Sequence, residues 1–231
     1  MSRLNRKTLE TRRSRVRAIL PILKTTYPQA RCSLNYTTPF ELLVATILSA
    51  QCTDDRVNLV TRDLFRKYRT PLDYARVSQE ELERDIQSTG FYRNKAKSIR
   101  AMARSIVDLY NGQVPQTMEH LTALAGVGRK TANVVLGNAF GKNIGITVDT
   151  HVTRLSNRLG LTTHSDPVKI EQDLMQIVPQ EDWTLWSHLL IHHGRTVCKA
   201  LKPRCMECPI LDFCPHGPKV LKKLRSERPI Q

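Results

Sequence analysis

The chain has 231 residues, of which 36 are lysine or arginine and 21 are acidic, so its formal net charge is +15. That length buries a substantial core in one large or two modest domains. The cationic surplus points to a polyanion, with nucleic acid ahead of a membrane surface because the basic residues spread along the whole chain and form no single amphipathic segment. No apolar run reaches membrane-spanning length and no secretory hydrophobic stretch is present, so a reducing compartment without disulfides is expected.

In chain order, the N-terminal stretch is rich in arginine (Arg3, Arg6, Arg12, Arg13, Arg15, Arg17) and nearly free of acids. An organelle-targeting peptide and a structural first helix both fit it; Leu9, Val16, Ile19, Leu20 and Leu23 recur at helical spacing up to Tyr27-Pro28. Phe40 to Ala50 is a compact apolar helix, and Asp55 to Tyr68 an amphipathic one closed by Pro71. Ser78 with Glu81 makes a capping box for a segment running to Gln87. Lys95 to Tyr110 ends at the stop signal Asn111-Gly112. Ala132, Val135, Leu136 and Ala139 form the buried stripe of a helix ended by Gly141. Asn143 to Val148 reads as short and extended, and Val152, Leu155 and Leu159 as another helical stripe ended by Gly160. An all-α protein follows.

The most informative segment is Leu124-Ala125-Gly126-Val127-Gly128-Arg129-Lys130-Thr131-Ala132. Gly126 and Gly128 leave the N–H groups of a tight turn uncovered, and the helix starting there adds its positive dipole end, so a phosphate fits against the main chain. Arg129, Lys130 and Thr131 occupy the first helical turn. A cation at that end, beside Arg129, is disfavoured, which should lower the Lys130 pKa and expose a nucleophilic amine. The plainer reading is a solvated lysine or a simple phosphate contact. Ile86 to Ala96 loosely echoes this segment without its second glycine, which fits a degenerate hairpin between helices and a chance similarity of two basic helix starts equally well.

Four of the six cysteines follow the spacing Cys198-x6-Cys205-x2-Cys208-x5-Cys214. In a reducing compartment this is a metal or cluster site, for which a [4Fe-4S] cubane suits the unequal spacing at least as well as zinc. Pinned between the first two thiols, the segment from Lys199 to Arg204, with Lys199 and Lys202, forms a basic loop suited to a phosphate backbone. Cys32 and Cys52 read as ordinary half-buried residues.

The hairpin sequence, then Val148-Asp149-Thr150-His151, then the four cysteines, in that order, resemble the endonuclease III family of helix-hairpin-helix DNA glycosylases and abasic-site lyases. Pro39-Phe40-Glu41-Leu42-Leu43 and Leu48-Ser49-Ala50-Gln51 belong to the same match, which reaches Cys214. The resemblance implies an all-α, two-domain architecture: a six-helix barrel over residues 32–143, an iron-sulfur domain made of residues 1–31 and 144–231, and a DNA cleft between them. It makes Lys130 the Schiff-base lysine and Asp149 the essential carboxylate, although Asp149 also reads as a helix N-cap. Gln51 matches the residue that fills the gap left by a flipped nucleotide, and Phe91 stands where an opposite-strand wedge is more often aliphatic. Ala125 replaces a more usual proline.

The implied activity is base-excision repair: removal of oxidised or ring-damaged pyrimidines and β-elimination at abasic sites, with a structural [4Fe-4S] cluster and no diffusible cofactor. The implied partner is damaged duplex DNA, bound by a monomer with no membrane association. A bacterial cytoplasmic, nucleoid-associated setting is expected ahead of an organellar or nuclear one. Two rivals predict different residues. A mismatch adenine glycosylase would lack a lysine at position 130 and carry a glutamate near Ala50-Gln51, and a non-enzymatic iron-sulfur damage sensor would need neither Lys130 nor Asp149.

Overall fold

The computed structural model describes residues 3–226, with side chains between residues 8 and 222. Among the described residues every regular element is helical, twelve α-helices with four short 3-10 turns. Contacts divide the chain into two compact units, one of Cys32–Ile144 and one of Met1–Arg31 with Gly145–Gln231.

The first helix, α1 (Arg3–Thr26), belongs to the discontinuous unit and buries Val16, Ile19, Leu20 and Leu23 in its core. The stripe read as a structural helix is therefore a packing face.

The continuous unit holds α2 (Pro39–Leu48), α3 (Asp54–Lys67), α4 (Pro71–Arg76), α5 (Gln79–Ile86), a 3-10 turn at Gln87–Thr89, α6 (Tyr92–Tyr110), α7 (Met118–Thr122) and α8 (Arg129–Phe140). Seven of the ten residues of α2 are buried, because α3, α6 and α8 all pack against it. A helix apolar on most of its surface has to sit inside its neighbours. Truncating a fully buried residue such as Leu43 to alanine costs about 2–5 kcal/mol.

Local chemistry sets the helix starts. Thr38 with Glu41 and Thr70 with Asp73 form reciprocal capping boxes, each followed by proline in the first turn. Pro71 thus opens α4 as well as closing the segment before it, since its missing N–H is no loss at that position. The Ser78 box is only half made. Ser78 accepts from the Glu81 N–H, but the Glu81 carboxylate turns to Lys67 at 2.8 Å and to the Tyr68 hydroxyl, where a cation offers more than a backbone amide. Residues 143–148 join no strand, having no partner strand among the described residues.

The discontinuous unit continues with α9 (Thr150–Arg158), α10 (Pro167–Met175), α11 (Trp183–Thr196) and α12 (Gly217–Ser226). Its core joins the α1 stripe to Val152, Leu155, Ile170, Leu174, Trp186 and Leu190. Asp149 and Asp166 cap α9 and α10.

Candidate active site

The hairpin of α7 and α8 is anchored by Leu121, Leu124 and Val127, all buried. Its two glycines differ in what demands them. Gly126 has φ +76°, and a Cβ there would lie 2.8 Å from Ser98 Cβ on α6, so the left-handed backbone and the close approach both exclude a side chain. Gly128 has φ −91° and ψ 176°, a conformation open to any residue, and a Cβ on it would meet nothing within 4 Å. The protein interior makes no demand for glycine there; its bareness faces outward. No side chain caps α8 and no acid lies in its first turn, so that turn is a site for an anion. Arg129 and Lys130 are exposed in it, and Thr131 is half-buried.

Asp149 is half-buried and is the N-cap of α9. Its Oδ1 accepts from the Val152 N–H at 2.8 Å, while Oδ2 has no hydrogen bond among the described residues. One oxygen holds the side chain still and the other stays available, so the cap and a chemical role are compatible.

Gln51 and Phe91 stand on two tight turns of the continuous unit. They are two of the three non-glycine residues with positive φ among the described residues, at 52° and 48°. Gln51 is exposed, and Phe91 is 64 % exposed. A large aromatic held in a strained backbone and turned to solvent serves no core. In the echo segment the left-handed position after Gly90 is taken by Phe91, so its backbone differs from that of the true hairpin.

Cys198 follows α11, Cys205 opens the first of the two 3-10 turns that come next, and Cys208 and Cys214 each follow directly on one of them. All four are half-buried and line one pocket with Leu155, Leu159, Ile210 and Leu211. Burial pushes the Cys208 thiol up to about 11, with Cys214, Cys198 and Cys205 adding to the rise, and burial likewise raises Cys205. Thiols crowded this way ionise when a cation compensates them. His193 Nε2 lies 3.5 Å from Cys208 Sγ, and Arg158 Nη1 3.3 Å from Cys198 Sγ. Between the first two cysteines, Lys199 and Lys202 are exposed. Cys32 and Cys52 are half-buried in the other unit.

Residues 44–180 match the model of the HhH-GPD superfamily of base excision DNA repair proteins, and residues 198–214 match the iron-sulfur binding domain of endonuclease III. The chain is 56 % identical over 217 residues to endonuclease III of Synechocystis sp., covering 94 % of this chain and 99 % of that protein. It is 52 % identical over 198 residues to endonuclease III of Bacillus subtilis, covering 85 % and 90 %. The chain belongs to the endonuclease III family. A solved relative, a trapped endonuclease III–DNA covalent intermediate in an estranged-adenine complex, superposes with a TM-score of 0.85 at 48 % identity, covering 90 % of this chain and 98 % of that one.

As a member of this family, the protein is a DNA glycosylase and abasic-site lyase of base excision repair that binds DNA and carries a [4Fe-4S] cluster. The pocket fits that group. Its lining carries four thiols and no carboxylate, and Arg158 and His193 stand within reach of Cys198 Sγ and Cys208 Sγ as donors to anionic sulfur.

Two arginines of α9 also contribute to this centre. Arg158 donates to the carbonyls of Lys199 at 2.8 Å and Ala200 at 2.7 Å, and Arg154 donates to Gly194 and Cys198 carbonyls at 3.1 Å. The signal was present as two arginines four apart on α9, which share a face, but nothing local says what that face meets.

Proposed function

We propose that this protein removes oxidised or ring-damaged pyrimidines from duplex DNA with Lys130 as the nucleophile and Asp149 as the assisting carboxylate. It does so as a monomer in the bacterial cytoplasm, on the nucleoid. The observation that carries the reading is the uncapped first turn of α8, where exposed Lys130 stands two residues after a glycine that packing does not require. Support for a covalent route comes from the related enzyme trapped on DNA, and for the setting from bacterial relatives and the net charge of +15.

The target nucleotide leaves the stack, at a cost of about a few kcal/mol that Gln51 and Phe91 offset by filling the gap. The Lys130 Nζ lone pair forms a bond to C1′ of the sugar. The C1′–N bond to the base breaks, its electron pair leaving with the base, while Asp149 stabilises the positive charge that develops on the sugar. Nζ then loses a proton, the C1′–O4′ bond opens, O4′ takes up a proton, and a C1′=N imine remains. The imine acidifies C2′; a C2′ proton departs and the C3′–O bond breaks with its electrons on the phosphate, cutting the strand 3′ to the lesion. Water finally releases the lysine. Cys198, Cys205, Cys208 and Cys214 hold the cluster, which supplies structural cross-linking of the basic loop.

Borohydride trapping on an abasic duplex tests this. Lys130→Gln is expected to bind a stable abasic analogue as the parent does and to form no adduct. An adduct of undiminished yield in that variant refutes the assignment.

A further inference from the structure

Lys95, on α6, is 5 % exposed. Its Nζ donates at 2.8 Å to the Leu48 carbonyl and at 2.8 Å to the Thr89 carbonyl. Among the described residues its hydrogen-bond partners are these two carbonyls and no carboxylate. Leu48 is the last residue of α2, and Thr89 the last of the 3-10 turn that precedes α6. Carbonyls at such ends have run out of helical N–H partners and carry the negative end of the dipole, which suits an ammonium.

The two capped ends lead straight into the exposed turns. Gln51 lies just past Leu48, and Phe91 just past Thr89, both in left-handed backbone. A single side chain therefore ties together the bases of the two tips. Burying an amine is costly, and burial does weaken its hold on its proton; a methionine of similar length would fill the space without that cost. Apolar packing alone does not account for lysine here.

We propose that Lys95 is a positioning residue for base extrusion, a strut that fixes the separation and height of the Gln51 and Phe91 tips so that both enter the duplex together. This rests on the reading of those tips as gap fillers.

The test uses the whole cluster-loaded protein and two probes. One is a duplex with a stable tetrahydrofuran abasic analogue opposite 2-aminopurine, whose fluorescence rises when that base is unstacked. The other is a single-stranded oligonucleotide with a pre-formed abasic site, which has no opposite strand to wedge. Lys95→Met, confirmed folded by circular dichroism, should lose most of the fluorescence rise at saturating protein and cleave duplex substrate about tenfold or more slowly. Borohydride trapping on the single strand should stay within about twofold of the parent, and Lys95→Met added to Gln51→Ala with Phe91→Ala should cost almost nothing more. Lys95→Gln, which keeps one donor, should fall between and carries the same comparison if the methionine variant does not fold. Parental fluorescence and duplex rates in the Lys95 variants, or an equal loss on both probes, overturn this inference alone. Parental behaviour of the Gln51→Ala, Phe91→Ala protein overturns the reading of the tips and this inference with it.

Discussion

Arg158 Nη1 donates to the backbone carbonyl of Lys199 at 2.8 Å, so the basic loop is held by a guanidinium from α9. The other arm of the same group reaches Ala200, and Nη1 also lies beside Cys198 Sγ. With its backbone fixed, the loop presents Lys199 and Lys202 without paying to order them on binding. Arg158→Met is expected to weaken binding to undamaged duplex by about fivefold while iron content is retained. Lys199→Glu with Lys202→Glu should flatten the slope of log affinity against log salt by about 2. Fluorescence anisotropy across a salt series checks both; an unchanged slope places the loop away from DNA.

The two hairpin glycines should separate stability from binding. Gly126→Ala combines a left-handed backbone with a 2.8 Å approach to Ser98 and is expected to destabilise by about 2–4 kcal/mol. Gly128→Ala meets open space and should leave thermal stability within about 0.5 kcal/mol. It should nevertheless weaken DNA binding about tenfold, because the added methyl stands where a phosphate approaches.

Asp149 is open to a similar division. Asparagine caps α9 as well as aspartate does, so Asp149→Asn should leave stability intact while base excision falls about a hundredfold. Asp149→Ala loses the cap too, and its melting curve should shift by about 1 kcal/mol. Full turnover in the asparagine protein would make Asp149 a cap only.

The cluster makes a visible prediction. Protein purified from iron-replete cells should be brown, with broad thiolate-to-iron absorption, and Cys205→Ser should be colourless or poorly soluble. Stoichiometric zinc in place of iron in the parent protein contradicts the assignment.

A pH dependence follows from His188 on α11, which burial pushes down to about 4, with His192 adding to the effect. In the unfolded chain a histidine titrates near pH 6.5. Between about pH 6.5 and pH 4 the unfolded state therefore binds a proton that the folded state refuses, and stability falls as pH falls. Above that window neither state is charged there and the dependence vanishes. Urea unfolding at about pH 5.5 and pH 7.5 should show the loss, and His188→Gln should remove part of it.

What the amino-acid sequence determined by itself is what lies close together along the chain. The all-helical class, the glycine turn with Lys130 in the first turn after it, Asp149 three residues before the N–H it caps, and the cysteine quartet are all legible because turn, capping and ligand chemistry act over a few residues. The tertiary structure decided which faces met. Gly126 is irreplaceable because α6 brings Ser98 against it, whereas Gly128, alike in sequence, meets nothing. Glu81 abandons its capping box for a lysine presented by α3. Lys95 reaches a carbonyl 47 positions earlier, and Arg158 one 41 positions later. Such pairs depend on how helices pack, which no local pattern of residues encodes, and in this protein they hold in place the exposed residues that the sequence had already singled out.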